Sequence, residues 1–473
     1  MTAPHPKAPQ HAPLRDDRRV VLVVAVLASF VVGLDSSVVN VALPAVRSEL
    51  GGGLVVQQWI VDAYLVTLGS LILVAGALSD LYGRVRIVTW GLVVFGLASV
   101  GCAVAPNGEL LVVARALQGV GGALVTPSAL ALIVAAFSGA ARAKAIGTWT
   151  AWSSAAVIVG PVLGGVIVDG IGWRWIFVLT AVPIAVTLVL VRRITGDVVS
   201  GARQRIDVVG AVLTVVGVGG LVLGLIEQER LGWASPVVVL ALVLGGAALV
   251  AFVPWERRVT AAGGTALVPL VLFRARNFTV GNLATLSVYG ALGMVGFVVT
   301  LFLQEVWHFP AWLAGIATLP PTVVLLALST TVGAAAGRHG PRRFMTAGPL
   351  VAAVGALLVL GAGPDPTAYW WSVFPALVLV GVGIALMVSP LTSAVLGSVP
   401  QDEAGAGSAV NNAVARIAGL VTVALAGVVL GGAMSTAGLH RAAVVMAVLL
   451  VAGAVVSWFG IVDPDRRGSG SPT

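Results

Sequence analysis

The chain has 473 residues, 58% of them hydrophobic and only 10% charged, with a mean hydropathy of +1.04. A soluble domain carries roughly a quarter of its residues as charges, so these values exclude that class. They require an all-α polytopic membrane protein, whose backbone closes its hydrogen bonds within helices. The net charge of +8 and pI near 10.7 do not point to nucleic acid, because the basic residues sort by membrane side.

Residues 1–19 are polar, rich in Pro and His and without a cleavable signal, so the first span is expected to insert as an uncleaved anchor behind a cytoplasmic tail. Apolar runs past the roughly 20 residues needed to cross a bilayer then place the membrane spans. They lie at about 20–44, 56–78, 86–105, 109–136, 145–168, 173–191, 208–226, 235–255, 278–304, 312–335, 344–362, 369–397, 404–431 and 439–461, fourteen in all, before a second polar tail over 463–473. With the N-terminus inside, Arg47, Arg174, Arg230 and Arg441 fall in outer loops, Arg115 and Arg416 lie within spans, and the rest of the 27 Lys and Arg are cytoplasmic. This positive-inside bias puts both termini in the cytoplasm of a plasma membrane. Abundant Gly, Ala, Val and Arg beside only Lys7 and Lys144 suggests a GC-rich bacterial genome.

An internal echo organises the spans. Gly76, Ala77, Gly83 and Arg86, after span 2, match Gly333, Ala334, Gly340 and Arg343, after span 10, at a constant offset. The expected domains are a six-span half over 20–193, an inserted pair of spans with its flanking loops over 194–277, and a second six-span half over 278–462. Parallel halves of this kind characterise rocking transporters with a binding site near the midplane.

Asp35, Asp62 and Arg115 lie inside spans 1, 2 and 4, where an ionisable group marks a pathway or a proton relay unless it is paired for structure alone. Helix rise places all three roughly 8 to 14 Å below the outer surface, in one layer. They are the expected proton-coupling residues; the competing reading is an Asp to Arg pair that only locks helices, or for Asp35 a hydrogen-bond network with Ser36, Ser37 and Asn40. Span 9 carries Asn282, Thr285, Tyr289 and Gln304 on one polar or small face, and span 13 carries Asn412 and Arg416, together the expected substrate cavity. Trp149 and Trp152 share a face of span 5 and could stack on a planar ligand or cation, or sit at the lipid interface. Gly160-Pro161-Val-Leu-Gly164-Gly165 sets small residues on two adjacent faces of span 5, the expected hinge. Cys102 is expected to be a small core residue. The sequence holds no P-loop, no mid-membrane histidine, and no metal-ligand or nucleophile-base cluster, so neither a cofactor nor enzyme catalysis is expected.

These motifs resemble the major facilitator superfamily, in its fourteen-helix drug:proton antiporter branch, over nearly the whole chain. Leu34-Asp35 to Pro44 is similar to that branch's helix 1 motif, Arg115-Ala-Leu-Gln118-Gly119-Val-Gly121 to the helix 4 motif, and Gly160 to Gly165 to the antiporter motif of helix 5. Trp173-Arg174-Trp175-Ile176-Phe177 with Pro183 resembles the start of its helix 6. Gly76, Asp80, Gly83, Arg84 and Arg86 resemble the superfamily's loop between helices 2 and 3, with Leu81 and Val85 where basic residues are usual, which implies a weaker cytoplasmic charge latch. The resemblance implies a monomeric exporter of hydrophobic or cationic drugs and antibiotics, driven by the proton gradient, with Arg115 in proton coupling and Asp80 and Arg84 at the cytoplasmic gate. Its rivals are export of an endogenous metabolite, lipid or self-made antibiotic, and a non-transporting receptor or assembly factor, which needs no intramembrane acids.

Overall fold

The computed structural model describes residues 18–194, 196–197, 207–400 and 403–463. All but the last two residues of the expected N-terminal tail, and all but Asp463 of the C-terminal one, lie outside them. The described residues are helical with no strand, and fourteen segments are long and apolar enough to cross a membrane.

The first bundle comprises α1 (Arg18–Leu50), α2 (Gly53–Tyr82), α3 (Arg84–Ala103), α4 (Gly108–Ala136), α5 (Gly139–Ile171) and α6 (Arg174–Val191). α1 packs on α4, α5 and α6, and α4 packs between α2 and α3. Next come α7 (Val208–Leu231) and α8 (Pro236–Ala261). The second bundle comprises α9 (Arg276–Glu305), α10 (Ala311–Ala317), α11 (Pro320–His339), α12 (Pro341–Leu358), α13 (Val373–Leu396), α14 (Ala404–Leu430) and α15 (Thr436–Gly460). Local signals set many of the ends: Asn107 accepts from Leu110 N at 2.9 Å to start α4, Asp207 from Gly210 N at 2.8 Å to start α7, and Ser435 from Gly438 N at 3.0 Å to start α15.

The tenth span departs from the single helix expected over 312–335. It breaks into α10 and α11 at Thr318–Leu319, because Pro320 and Pro321 supply no N–H and clash with the preceding turn. Several helices run longer than the hydropathy indicates; α1 passes through Pro44 to Leu50, and α5 begins at Gly139.

The inserted pair is asymmetric. α7 packs on α2 and α14, one helix from each bundle, and α8 packs on α7. Val66 of α2, Val218, Val222 and Ile226 of α7, and Leu420 and Ala424 of α14 form one buried apolar cluster. α8 turns Leu240, Val243 and Val250 outward, the surface of a helix that meets lipid.

The two bundles share a structural device at the echo seen in the sequence. Gly83 and Gly340 each have positive φ, +101° and +86°, in the turn before the bundle's third span. Beyond the last span of each bundle an aspartate returns to cap the third span: Asp197 accepts from Val85 N and Arg86 N at 3.0 and 3.1 Å, and Asp463 from Arg342 N at 3.0 Å. A Cβ at Gly83 or Gly340 would come within 2.2 or 2.4 Å of that carboxylate. Glycine is therefore required twice over, by backbone conformation and by space.

Candidate functional site

The close packing of α2 on α4 brings the helix 4 motif into the bundle interior. A Cβ at Gly119 would lie 2.0 Å from Thr67 Oγ1 and 2.3 Å from the Tyr64 carbonyl, so only glycine lets these helices touch. Arg115 is thereby buried at 1% exposure and reaches α1, where its Nη1 meets Asp35 Oδ2 at 2.5 Å. The same guanidinium donates through Nε to the Ile60 carbonyl at 2.9 Å and through Nη1 to Gln118 Oε1 at 2.8 Å. Gln118 Nε2 donates onward to Asp35 Oδ1 at 3.2 Å and to Ser99 Oγ at 2.8 Å, and Cys102 Sγ lies 3.2 Å from Gln118 Oε1. The Tyr64 ring covers the guanidinium, with its centroid 4.4 Å from Cζ. A buried ion pair with its remaining lone pairs satisfied in this way is the geometry in which Coulomb attraction offsets desolvation. One sequence-predicted pair, Asp35 and Arg115, is thus brought together by four helices and a backbone carbonyl.

Asp62 is not part of that cluster. It is fully buried, and neither carboxyl oxygen has a hydrogen-bond partner among the described residues. Its helical spacing puts it with Val55, Trp59 and Val66, the face of α2 that packs against α7 and α14. Trp59 Nε1 donates to Glu227 of α7 at 2.8 Å on that face. The layer expected for three charges therefore divides into a sealed pair facing α1 and a lone acid facing the inserted helix.

A cavity of about 190 Å³ lies between the bundles beside the ion pair, lined among others by Asn40, Tyr64, Arg115, Gly293, Gly296 and Gly419. Of the residues expected to form the substrate cavity, several are spent elsewhere. Asn282 and Thr285 receive the Asn411 amide at 3.1 and 2.8 Å, a polar clamp between α9 and α14. Trp149 donates its indole N–H to Ser29 at 2.7 Å and so ties α5 to α1. Trp152 packs edge-on against Phe30 with half its surface exposed. Tyr289 packs against the apolar core that the bundles share, and Gln304 Nε2 is buried without a partner among the described residues. Asn412 is exposed on α14, and Arg416, one turn on, is partly buried and makes no hydrogen bond or ion pair with any described residue. A second cavity, of about 660 Å³, lies apart from the pair, among α9, α11 and α13 near Arg338, His339 and Asp463.

The antiporter motif touches both bundles. A Cβ at Gly160 or Gly164 would strike Ser37 Oγ at 2.0 Å or Val38 Cγ2 at 2.1 Å, both on α1. One at Gly165 would lie 2.4 Å from Trp312 Cα, and one at Gly315 of α10 would lie 2.3 Å from the Pro161 carbonyl. The two small faces read from the sequence thus seat two helices, one from each bundle. The bundles are also joined at the α1–α2 end by Arg47 to Glu305 at 2.7 Å, Gln57 to Glu305 at 2.9 Å, and Gln58 to the Val423 carbonyl at 2.7 Å. Asp169 closes the same end by accepting from Ala311 N and Trp312 N at 3.2 and 2.9 Å. At the α2–α3 turn, Arg84 meets Asp80 at 3.3 Å and donates to the Ala131 carbonyl at 3.0 Å, tying the turn to α4, while Arg86 is exposed. Sequence reading did not single out Tyr64, Asn411, Asp169 or Glu305; each owes its importance to a partner more than 50 residues away or in the other bundle.

Comparison with known proteins matches this geometry to a family. The model of the Major Facilitator Superfamily fits residues 25–202 and 191–423. The puromycin resistance protein pur8 of Streptomyces alboniger is 36% identical over 87% of this chain and 82% of its own length. The multidrug resistance protein Stp of Mycobacterium tuberculosis is 33% identical over 88% and 76%. Among solved structures, an auto-inhibited peptide transporter of the POT family superposes with a TM-score of 0.68 over 95% of this chain and 99% of its own, at 15% identity, a likeness of fold alone. The chain belongs to the Major Facilitator Superfamily.

Proposed function

We propose that the protein is a proton-coupled efflux antiporter that exports small hydrophobic molecules, among them drugs or antibiotics, from the cytoplasm by alternating access. The observation that carries this reading is the Asp35–Arg115 pair, fully buried beside a cavity between two bundles that meet at one end. A carboxylate held by a guanidinium can take a proton when access changes and release it when the pair re-forms, which couples proton entry to movement. Asp62, buried against α7 with no hydrogen-bond partner among the described residues, is the second proton site, and α7 walls it off from lipid. The charge bias supports an α1–α2 end that faces outside and termini in the cytoplasm, which makes this a conformation closed to the outside. Asp80 and Arg84 hold the cytoplasmic turn, Gly160 to Gly165 permit the rocking, and the protein acts as a monomer without a cofactor. The relatives' names, multidrug resistance for Stp and puromycin resistance for pur8, support the substrate class.

A susceptibility panel that includes puromycin, on cells with and without the gene, tests the reading. Resistance that a protonophore removes is the expected result; equal susceptibility throughout would contradict it. The pur8 likeness also favours a second reading, export of a self-made antibiotic, for which resistance would be confined to one compound.

A further inference from the structure

Beside the cavity between the bundles lies a cation, Arg416, with no acid to meet it among the described residues. Of the two mid-membrane acids, Asp35 has both oxygens occupied, by Arg115 Nη1 and Gln118 Nε2, and Asp62 lies on the face of α2 toward α7. Tyr64 lines the cavity, and its hydroxyl is buried with no hydrogen-bond partner among the described residues. Arg416 flanks the same space: it lies one helical repeat from Gly419, which lines the cavity, and its Cβ sits 3.8 Å from where a Cβ of Gly69 on α2 would be. Its guanidinium has no acceptor among the described residues. Asn412, one turn toward the end of α14 that lies away from the Arg47–Glu305 contact, is exposed, so the approach to Arg416 is polar. Asn40 adds the one side-chain amide, with an acceptor beside its donors.

A cation held at membrane depth without a counter-ion is costly, and such residues mark the path of a charged ligand. We propose that Arg416 docks an anionic group of the transported molecule, a carboxylate or an acidic enol or phenol on a hydrophobic scaffold. The inference rests on the exporter reading and deepens it: among the small hydrophobic molecules exported, those that bear an acid are held by Arg416. A planar guanidinium fork suits a carboxylate better than any other small group. Proton entry through the Asp35–Arg115 pair would then be separate from substrate charge, which is carried on the opposite bundle.

The test uses three probes with one fluorophore and different charge: dansylglycine, dansylamide and dansylcadaverine. Full-length protein in nanodiscs is titrated with each, and proteoliposomes with an imposed proton gradient are assayed for their transport. Wild-type protein is expected to bind dansylglycine most tightly. Arg416→Gln should lower the ratio of dansylglycine to dansylamide affinity by about tenfold or more, the loss of a charge-assisted hydrogen bond, while Arg416→Lys keeps much of it. The ratio cancels any general loss of folded protein. A wild-type preference for dansylcadaverine, or an unchanged ratio in Arg416→Gln, would overturn the anion site and leave the exporter reading standing if dansylcadaverine is transported. Gradient-driven transport of none of the three would count against the exporter reading and this inference with it.

Discussion

Replacing Asp35 by Asn leaves the Arg115 guanidinium in place with its counter-charge gone. At 1% exposure Arg115 cannot turn to water, and its remaining contacts, the Ile60 carbonyl and Gln118 Oε1, are neutral. Removing one partner of a buried pair costs about 3 to 5 kcal/mol, because the other is left as an uncompensated charge. Arg115→Met in the Asp35→Asn background removes that charge and fills much of the same volume. The double variant is therefore expected to be more stable than Asp35→Asn alone, with a coupling energy of about 2 kcal/mol or more. Unfolding of wild type, both single variants and the double variant in mixed micelles would supply the cycle. All three variants should lose proton-driven transport, which separates the stability effect from the function. Additive losses across the cycle would refute the view that the charges are sealed together.

Other expectations follow from particular contacts. Gly165→Val sets a side chain where Trp312 backbone lies 2.4 Å away, so the α1–α2 end should be held apart; spectroscopic distances between labels at residues 48 and 308 should lengthen, and unchanged distances would argue against the seat. Gly83→Ala and Gly340→Ala should each cost about 1 to 3 kcal/mol, from positive φ and the clash with the capping aspartate; truncating Asp197 in the Gly83→Ala background should recover part of the loss in thermal stability. Asp62→Asn should abolish efflux in cells with normal membrane abundance, and wild-type efflux would remove Asp62 from the proton path.

Much of the fold was legible because lipid leaves so few choices: long apolar runs must be helices, and Arg and Lys placement orders them. The break in span 10 was written in Pro320-Pro321, yet an apolar run on both sides concealed it. At the site, Arg115 and its glycine face were readable because intramembrane charge is rare and glycine at spacing four implies a close helix. Which acid Arg115 meets was not, since Asp35 and Asp62 lie at equal depth and only rotation about the α2 axis separates them. The sequence also leaves open what Asn282 and Thr285 face; in the structure both accept from the Asn411 amide across the helix contact. The Arg47–Glu305 and Asp169–α10 contacts belong to one conformation of two bundles, and a single chain read end to end does not register the bundles against each other.

The central claim, that substrate leaves as protons enter through Asp35 and Arg115, is tested most directly in proteoliposomes holding a pH-sensitive dye. A transported compound from the susceptibility panel should move protons down their gradient, in a wild-type reaction that Asp35→Asn lacks while still binding the compound. Proton movement of equal size in Asp35→Asn, or wild-type transport with no proton movement, would contradict it.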